Sequence, residues 1–594
     1  MLNRMVKTMK VNEVFIEKAK SLVYGRPMKI ATAIFITVCG TTHWWLRANG
    51  SKLNIGYIDP NAYSGLSHNY RAIVAEGGST YYSSRVMHIF PMAILTSIFD
   101  AWGPIIYLGV VSGICVLILF KIIQRVIPSV NLVVALTTSV LLISLPSFAY
   151  ESSWSYVQIT FNAFFLLSIY FSLLGGSNKN ELILAGFFAV CAINTHFKAI
   201  PLVVTLLAGL LFFAKDNGQL KLFILKYWLI GGIISALIVE ILYQFNQPRL
   251  TFKLSWWWQI YTTFLIGRSG AGEWKSLLEL WRTGQFPWYI IGPSICATYI
   301  GFNWRRTYLN RDKSGVVPIR MLAFFGLFGT IMIFVYQEVL RYPVTTTFWY
   351  WDSFWVAFAS AYISVLGTIQ KREGARYILS AAPFALFPIF LYLPNWIAYP
   401  GGSTWISTDD HRRYINYFLI TVCLYVIASL FAERRRLRHS AYLVLLVAVC
   451  FSFQQLPDFG SALRSQKIGD FSLEHSFFED QFWLIDNWVM LEDGNDKSEI
   501  ALWSQEDDGR GYLGSISSGL GFIQTRLTLG GSIENDSVQN WRDWKGQING
   551  VMYFYLTSSG DNNSVRAVLE QQGCQFTEPI QSPSGTVSLV KYIC

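Results

Sequence analysis

The stretch GYIDPNAYSGLSHNYRAIVAEGGSTYYSSRVMHIFP (residues 56–91) decides how this chain is organised. It is polar, rich in Gly and Tyr, and lies between two long apolar runs, one at 29–46 and one beginning at 103. A polar insert between two such runs reads as a loop on one side of a bilayer. The carboxylate of Asp59 comes just past the first run, and Arg71 and Arg85 follow. An early acid and scattered arginines at a membrane surface are the raw material of a reactive site.

Working outward from this loop, the chain is 594 residues long, 53% hydrophobic and only 14% charged, too apolar for a soluble protein of that length. Apolar runs recur at 29–46, 103–121, 130–148, 154–175, 181–195, 198–214, 222–244, 287–303, 319–340, 351–369, 377–397, 414–432 and 440–457. Each approaches the ~20 residues that cross a hydrocarbon core of roughly 30 Å, and only helices satisfy their backbones there. The loops KIIQR, GSNKNE, AKDNGQLK, NWRRTYLNRDKSG, QKREGAR and ERRRLRH are short, and each carries Lys or Arg. They would share one side with the N-terminus, which the positive-inside rule makes cytoplasmic. The net charge of +10 is therefore a topology signal, not a mark of nucleic-acid binding. The segment 1–28 is basic and shows no cleavage site, so no removable signal peptide is expected.

The pair 181–195 and 198–214 is separated only by the turn THFKA (195–199), and the charge bias of the later loops supports a break there. The expected architecture is a polytopic α-helical membrane protein of about 13 transmembrane helices with outer juxtamembrane helices and a small C-terminal extracytoplasmic α/β domain. The N-terminal segment is 1–28 and the membrane domain 29–457, with a first outer loop at 47–102 and an outer amphipathic segment at 245–286. The C-terminal domain is 458–594, where EIALWS (499–504), GVMYFYLTS (550–558) and TVSLVKYI (586–593) read as strands and SVQNWRDWKG and NSVRAVLEQQG as helices. Six cysteines lie in apolar runs, whereas Cys574 and Cys594 stand in the polar C-terminal region and would pair in an oxidising compartment.

Asp59 has two readings. Asp-Pro ahead of an amphipathic run (Tyr63, Leu66, Tyr70, Ile73, Val74) is a helix-start signal. A carboxylate at a membrane surface is also placed to take the proton of a hydroxyl that attacks an anomeric carbon. The two roles are compatible. Cations on the outer side run against the positive-inside bias, yet Arg71, Arg85, Lys198, Arg249, Lys253, Arg268, Arg341, Arg412 and Arg413 all fall there. At the mouths of helices such charges are costly unless they meet an anion, and a lipid phosphate is the obvious partner. His88, His196 and His411 stand beside cations or acids, and Glu151 and Glu338 are further carboxylates near span ends. Within the membrane domain only Asp409 and Asp410 are adjacent acids, a pattern usually solvated, so no metal is expected. The run SWWWQIY (255–261) reads mainly as an interfacial aromatic belt.

IDPNAY with Asp59, the amphipathic stretches near 61–75 and 88–100, STYYSSRVMHIFP, NTHFKAIPLVV and a polar region after the last span together resemble the GT-C superfamily of integral-membrane glycosyltransferases. That superfamily includes protein O-mannosyltransferases, aminoarabinose transferases and oligosaccharyltransferases. The chain lacks WWDYG, so the oligosaccharyltransferase branch and its metal dependence are not expected. Asp59 also stands alone where some branches carry Asp-Glu or Asp-Asp.

The resemblance implies transfer of a sugar from a polyprenyl-phosphate carrier to an extracytoplasmic glycan, protein or lipid acceptor, with inversion. Asp59 would be the catalytic base, and Arg85, Lys198 and Arg341 would bind the donor phosphate. Contacts to donor or acceptor would come from Tyr57, His68, Arg71, Tyr82, His88, Glu151, His196 and His411, with no metal or other cofactor. The 245–286 segment would line the lipid-side entrance. The competing classes are a lipid-linked glycan flippase and an O-antigen ligase or polymerase. The first wants mid-span charges and repeat symmetry, and the second a large late Arg/His-rich outer loop. The expected location is a bacterial inner membrane with the C-terminal domain periplasmic, and NxS sequons at Asn49, Asn535 and Asn562 keep an endoplasmic-reticulum location open.

Overall fold

The computed structural model describes residues 58–75, 80–127, 130, 135, 138, 139, 142, 143, 148, 157–174, 178–197, 199–214, 218–247, 276–282, 291–304, 317–339, 341, 352–369, 423, 424, 427, 475–492, 499–504, 527–530, 551–557 and 573–593. The expected spans at 29–46, 377–397 and 440–457, most of 130–148 and 414–432, and most of the 245–286 segment lie outside these residues.

The first loop contributes three helices: α1 (Ile58–Ala75), α2 (Thr80–Ser83) and α3 (Val86–Phe99). A kink divides α1 at Asn69, whose φ and ψ are −141° and 73°. Its side-chain oxygen accepts from the Ala72 backbone N–H at 3.3 Å, which starts the second piece of the helix. After α3 a 3₁₀ turn (Asp100–Trp102) leads into α4 (Gly103–Val126). A Cβ at Gly103 would overlap the Thr96 backbone, so only glycine lets the two helices approach at this corner. The 14 residues of α3 rise only about 21 Å, short of a bilayer core, whereas the 24 of α4 rise about 36 Å.

The helices that follow are α5 (Val157–Leu174), α6 (Lys179–Thr195), α7 (Ala199–Phe213), α8 (Gly218–Phe245), α9 (Leu277–Arg282), α10 (Ile291–Asn303), α11 (Val317–Glu338) and α12 (Asp352–Ile369). Among the described residues four stretches are long and apolar enough to cross a membrane: 86–126, 157–174, 218–245 and 318–338. Along α8 the apolar side chains Leu222, Leu229, Ile233, Leu237 and Ile241 are exposed, a face suited to hydrocarbon and not to water. The protein is a polytopic helical membrane protein.

Packing sets the register of the bundle. Helices α6 and α8 approach until a Cβ at Gly186 would overlap the Trp228 carbonyl, and one at Gly231 the Ile183 carbonyl. Helices α7 and α11 run antiparallel, with Phe212 stacked on Phe324 and Leu202 beside Gly329. The break expected at THFKA is present: α6 ends at Thr195, His196 is extended, and α7 begins at Ala199.

Beyond the bundle, α13 (His475–Glu492) precedes a mixed sheet of β1 (Glu499–Ser504), β2 (Leu527–Gly530), β3 (Val551–Thr557), β4 (Gln575–Phe576), β5 (Ile580–Gln581) and β6 (Val587–Ile593). The order is β2-β1-β3-β6-β4, with β5 also on β6. Strand β1 runs parallel to β2 and β3, and β6 antiparallel to β3. Parallel neighbours require crossovers, which accords with the long connections 505–526 and 531–550. The three strands expected from the sequence are present, whereas α13 was not foreseen. The two expected helices, SVQNWRDWKG and NSVRAVLEQQG, lie outside the described residues. Phe477, Phe482 and Leu484 of α13, Val587 and Leu589 of β6, and Ala62 and Leu66 of α1 belong to one apolar core.

Candidate active site

The helix register gathers one set of termini at a single end of the bundle. Phe161 near the start of α5 meets His196 just past the end of α6. Tyr107 near the start of α4 meets Thr160 near the start of α5. The antiparallel packing of α7 on α11 brings the start of the first level with the end of the second. Helices α1–α3 pack at this same end. The described starts of α4, α5 and α7 therefore collect at this end.

Arg85 is the cation built into this end. It is 3% exposed and immediately precedes α3, where its own side chain does not cap the helix. Asn194 from α6 does that work: its Oδ1 accepts from Met87 N–H at 2.9 Å, and its Nδ2 donates to the Ser84 carbonyl at 2.9 Å. The Asn194 carbonyl accepts from Arg85 Nη1 at 3.1 Å. The guanidinium lies 5.9 Å from the centre of the Phe197 ring, over whose face a cation is attracted. Arg85 is thus held by the residues at the α6–α7 break, on both sides of His196.

One turn into α3, His88 is fully buried, and its Nδ1 lies 2.8 Å from Thr160 Oγ1. The Tyr107 hydroxyl lies 2.6 Å from the same oxygen, so Thr160 links an imidazole and a phenol from two other helices. Tyr63 of α1 sets its ring edge-on to His88 at 5.0 Å and to Tyr82 at 5.3 Å. Helical periodicity puts residue 59 one turn before Tyr63 on the same face of α1. Asp59 thus falls in the first turn of that helix, ahead of Pro60. Farther along α1, the Tyr70 hydroxyl donates to the Ser83 carbonyl at 2.7 Å, and burial pushes this phenol above its ordinary range.

No family model matches the chain, and neither does any characterised sequence. The solved structure of ArnT from Cupriavidus metallidurans in the apo state matches at a TM-score of 0.54 with 11% identity, over 96% of this chain and 98% of that one. ArnT bound to undecaprenyl phosphate matches at 0.51 over the same shares of the two chains. The chain shares the fold of ArnT. An Archaeoglobus fulgidus oligosaccharyltransferase matches at 0.46 with 10% identity, over 88% of this chain and 69% of that one.

Within this fold the residues singled out from the sequence fall into three groups. Arg85, His88, Tyr82 and His196 are buried together at the gathered helix ends. His196 continues the α6 end with its ring stacked on Phe197 at 5.3 Å. Arg341 lies just past α11, is exposed, and holds a left-handed backbone (φ 54°) that costs a non-glycine residue on the order of 1 kcal/mol. His68 and Arg71, by contrast, have packing partners. His68 Nε2 is 2.8 Å from Asp486 Oδ1 with its ring stacked on Phe482, and Arg71 Nη2 donates to the Phe245 carbonyl that ends α8. Tyr57, Glu151, Lys198 and His411 lie outside the described residues, as does the side chain of Asp59.

Glu338, the other carboxylate considered, accepts from the Leu277 backbone N–H at 2.7 Å and so ties the start of α9 to the end of α11. Among the described residues no three of His, Cys, Asp and Glu converge as a metal site would require. Two residues that build the site, Asn194 and Thr160, were not singled out from the sequence. A cap supplied from another helix leaves no local pattern to read.

Proposed function

We propose that this protein is a membrane glycosyltransferase that moves a sugar from a polyprenyl-phosphate donor to an extracytoplasmic glycan, protein or lipid acceptor, with inversion at the anomeric carbon. The observation that carries the reading is the buried Arg85 at the gathered helix ends, in a fold shared with ArnT, a protein whose crystal structure holds undecaprenyl phosphate. In this reaction Asp59 takes the proton from the acceptor hydroxyl as its oxygen attacks the anomeric carbon. The bond from that carbon to the phosphate oxygen breaks, and the polyprenyl phosphate leaves with the electron pair. Arg85, Lys198 and Arg341 hold the negative charge that grows on the phosphate. No metal or other cofactor has a part in it. Tyr57, Tyr82, His88, Glu151, His196 and His411 are candidates for orienting sugar or acceptor.

We place the protein in a bacterial inner membrane with its N-terminus cytoplasmic and residues 458–594 as a periplasmic domain. Cys574 is disulfide-bonded, which favours an oxidising compartment for the C-terminal region. Its expected partner, Cys594, lies outside the described residues. The test is transfer in detergent from a panel of radiolabelled polyprenyl-phosphate sugars to a membrane extract, in parallel with lipid movement in proteoliposomes. Label in the extract supports the transferase. Lipid movement without transfer from any donor replaces it with a flippase.

A further inference from the structure

Helix α13 makes two buried polar connections from neighbouring residues, and they go to different parts of the molecule. Asp480, fully buried, accepts from the backbone N–H of Ser584 at 3.0 Å and from its hydroxyl, in the turn between β5 and β6. Gln481, also fully buried, donates through Nε2 to the Asn61 carbonyl at 3.1 Å, and its Oε1 lies 2.7 Å from Ser64 Oγ. Asn61 and Ser64 belong to the first two turns of α1, immediately after Asp59. One turn further on, the ring of His68 stacks on Phe482 at 4.1 Å and pairs with Asp486. A buried amide that satisfies a carbonyl and a hydroxyl on another helix fixes position more than it adds stability, since its net worth is only about 1 kcal/mol.

We propose that Gln481 is a positioning residue for the transfer: through Asn61 and Ser64 it sets the pose of the helix start that carries Asp59. Asp480 refers that pose to the C-terminal sheet. This rests on the reading of Asp59 as the base. A general base must be within hydrogen-bond reach of the proton it takes, and a displacement of about 1 Å can cost 10²-fold in rate. Donor binding at Arg85 uses other residues, the ends of α6 and the start of α3, so it stays intact when this link is cut.

The test compares wild type with Gln481→Leu, Ser64→Ala and the double variant, reading kcat, donor KM, the pH dependence of kcat and thermal stability in detergent. Each single variant is expected to lower kcat about 10–100-fold. Donor KM should stay within twofold and the acid limb of the kcat profile should move. The double variant is expected to be no worse than Gln481→Leu, because both changes cut the same link. If Gln481→Leu does not fold, Ser64→Ala, which removes one hydroxyl, decides alone. An unchanged kcat and pH profile overturns the proposal, as does a loss of kcat that only follows a loss of stability. A wild type inactive with every donor overturns the reading of Asp59 together with this one, whereas an active wild type with unaffected variants overturns this one alone.

Discussion

The main-chain carbonyl of Asn194 accepts a hydrogen bond from Arg85 at 3.1 Å, while the amide side chain of Asn194 binds the backbone on either side of Arg85. One residue at the end of α6 therefore fixes both the guanidinium and the turn that presents it. Among the described residues, the cation most deeply placed at the gathered helix ends is positioned by a residue with no charge.

Removing that amide deletes its buried hydrogen bonds to the Met87 N–H and the Ser84 carbonyl, at a cost of about 1–3 kcal/mol. Asn194→Ala is expected to lower the thermal midpoint and weaken donor binding together. Differential scanning fluorimetry and a donor-binding isotherm on the same preparation check this.

Replacing Arg85 by Lys keeps the charge and loses the planar fork, which donates to the Asn194 carbonyl and in the proposed function would grip the donor phosphate. Arg85→Lys is expected to retain donor binding within about tenfold yet lose about 10²-fold in kcat. Arg85→Ala is expected to lose both. Steady-state kinetics across donor concentrations separates the two parameters.

Helix packing makes its own forecast. A Cβ at Gly186 meets the Trp228 carbonyl, whereas one at Gly301 meets nothing within 4 Å. Gly186→Ala is expected to abolish accumulation of folded protein, and Gly301→Ala to be tolerated. Size-exclusion profiles of the two detergent-solubilised variants give the comparison.

The C-terminal sheet is expected to depend on its disulfide. Peptide mapping without reduction should show Cys574 linked to Cys594, with Cys115, Cys191, Cys296 and Cys423 free. Cys574→Ser is expected to cost about 2–4 kcal/mol of local stability. Faster proteolysis of the region after 475 reads that loss.

The sequence told most where the physics is local. THFKA is a very short turn between two apolar runs, and the charge bias of the later loops made the break at His196 legible. The strands around Ala501, Phe554 and Val590 were legible for a similar reason: short β-rich runs are bounded by turn residues. Helix α13 was not legible, because HSFFEDQFWLIDNWVMLE mixes buried acids and amides with aromatics and hides its apolar face. The buried Asp480 and Gln481 make sense only once Ser584, Asn61 and Ser64 are beside them. The kink at Asn69 and the cap from Asn194 are equally tertiary. The candidates His68 and Arg71 show the converse, polar residues of the first loop whose observed partners are Asp486 and a helix end.

The central claim is that Asp59 acts in the chemistry of a lipid-donor glycosyl transfer, and the most direct test pairs transfer with donor binding for wild type and Asp59→Asn. The account predicts that the variant binds the polyprenyl-phosphate sugar as tightly as wild type while its transfer falls by about 10²–10⁴-fold, the range a general base supplies. Transfer by Asp59→Asn at the wild-type rate would contradict the account and leave Asp59 as part of a helix start.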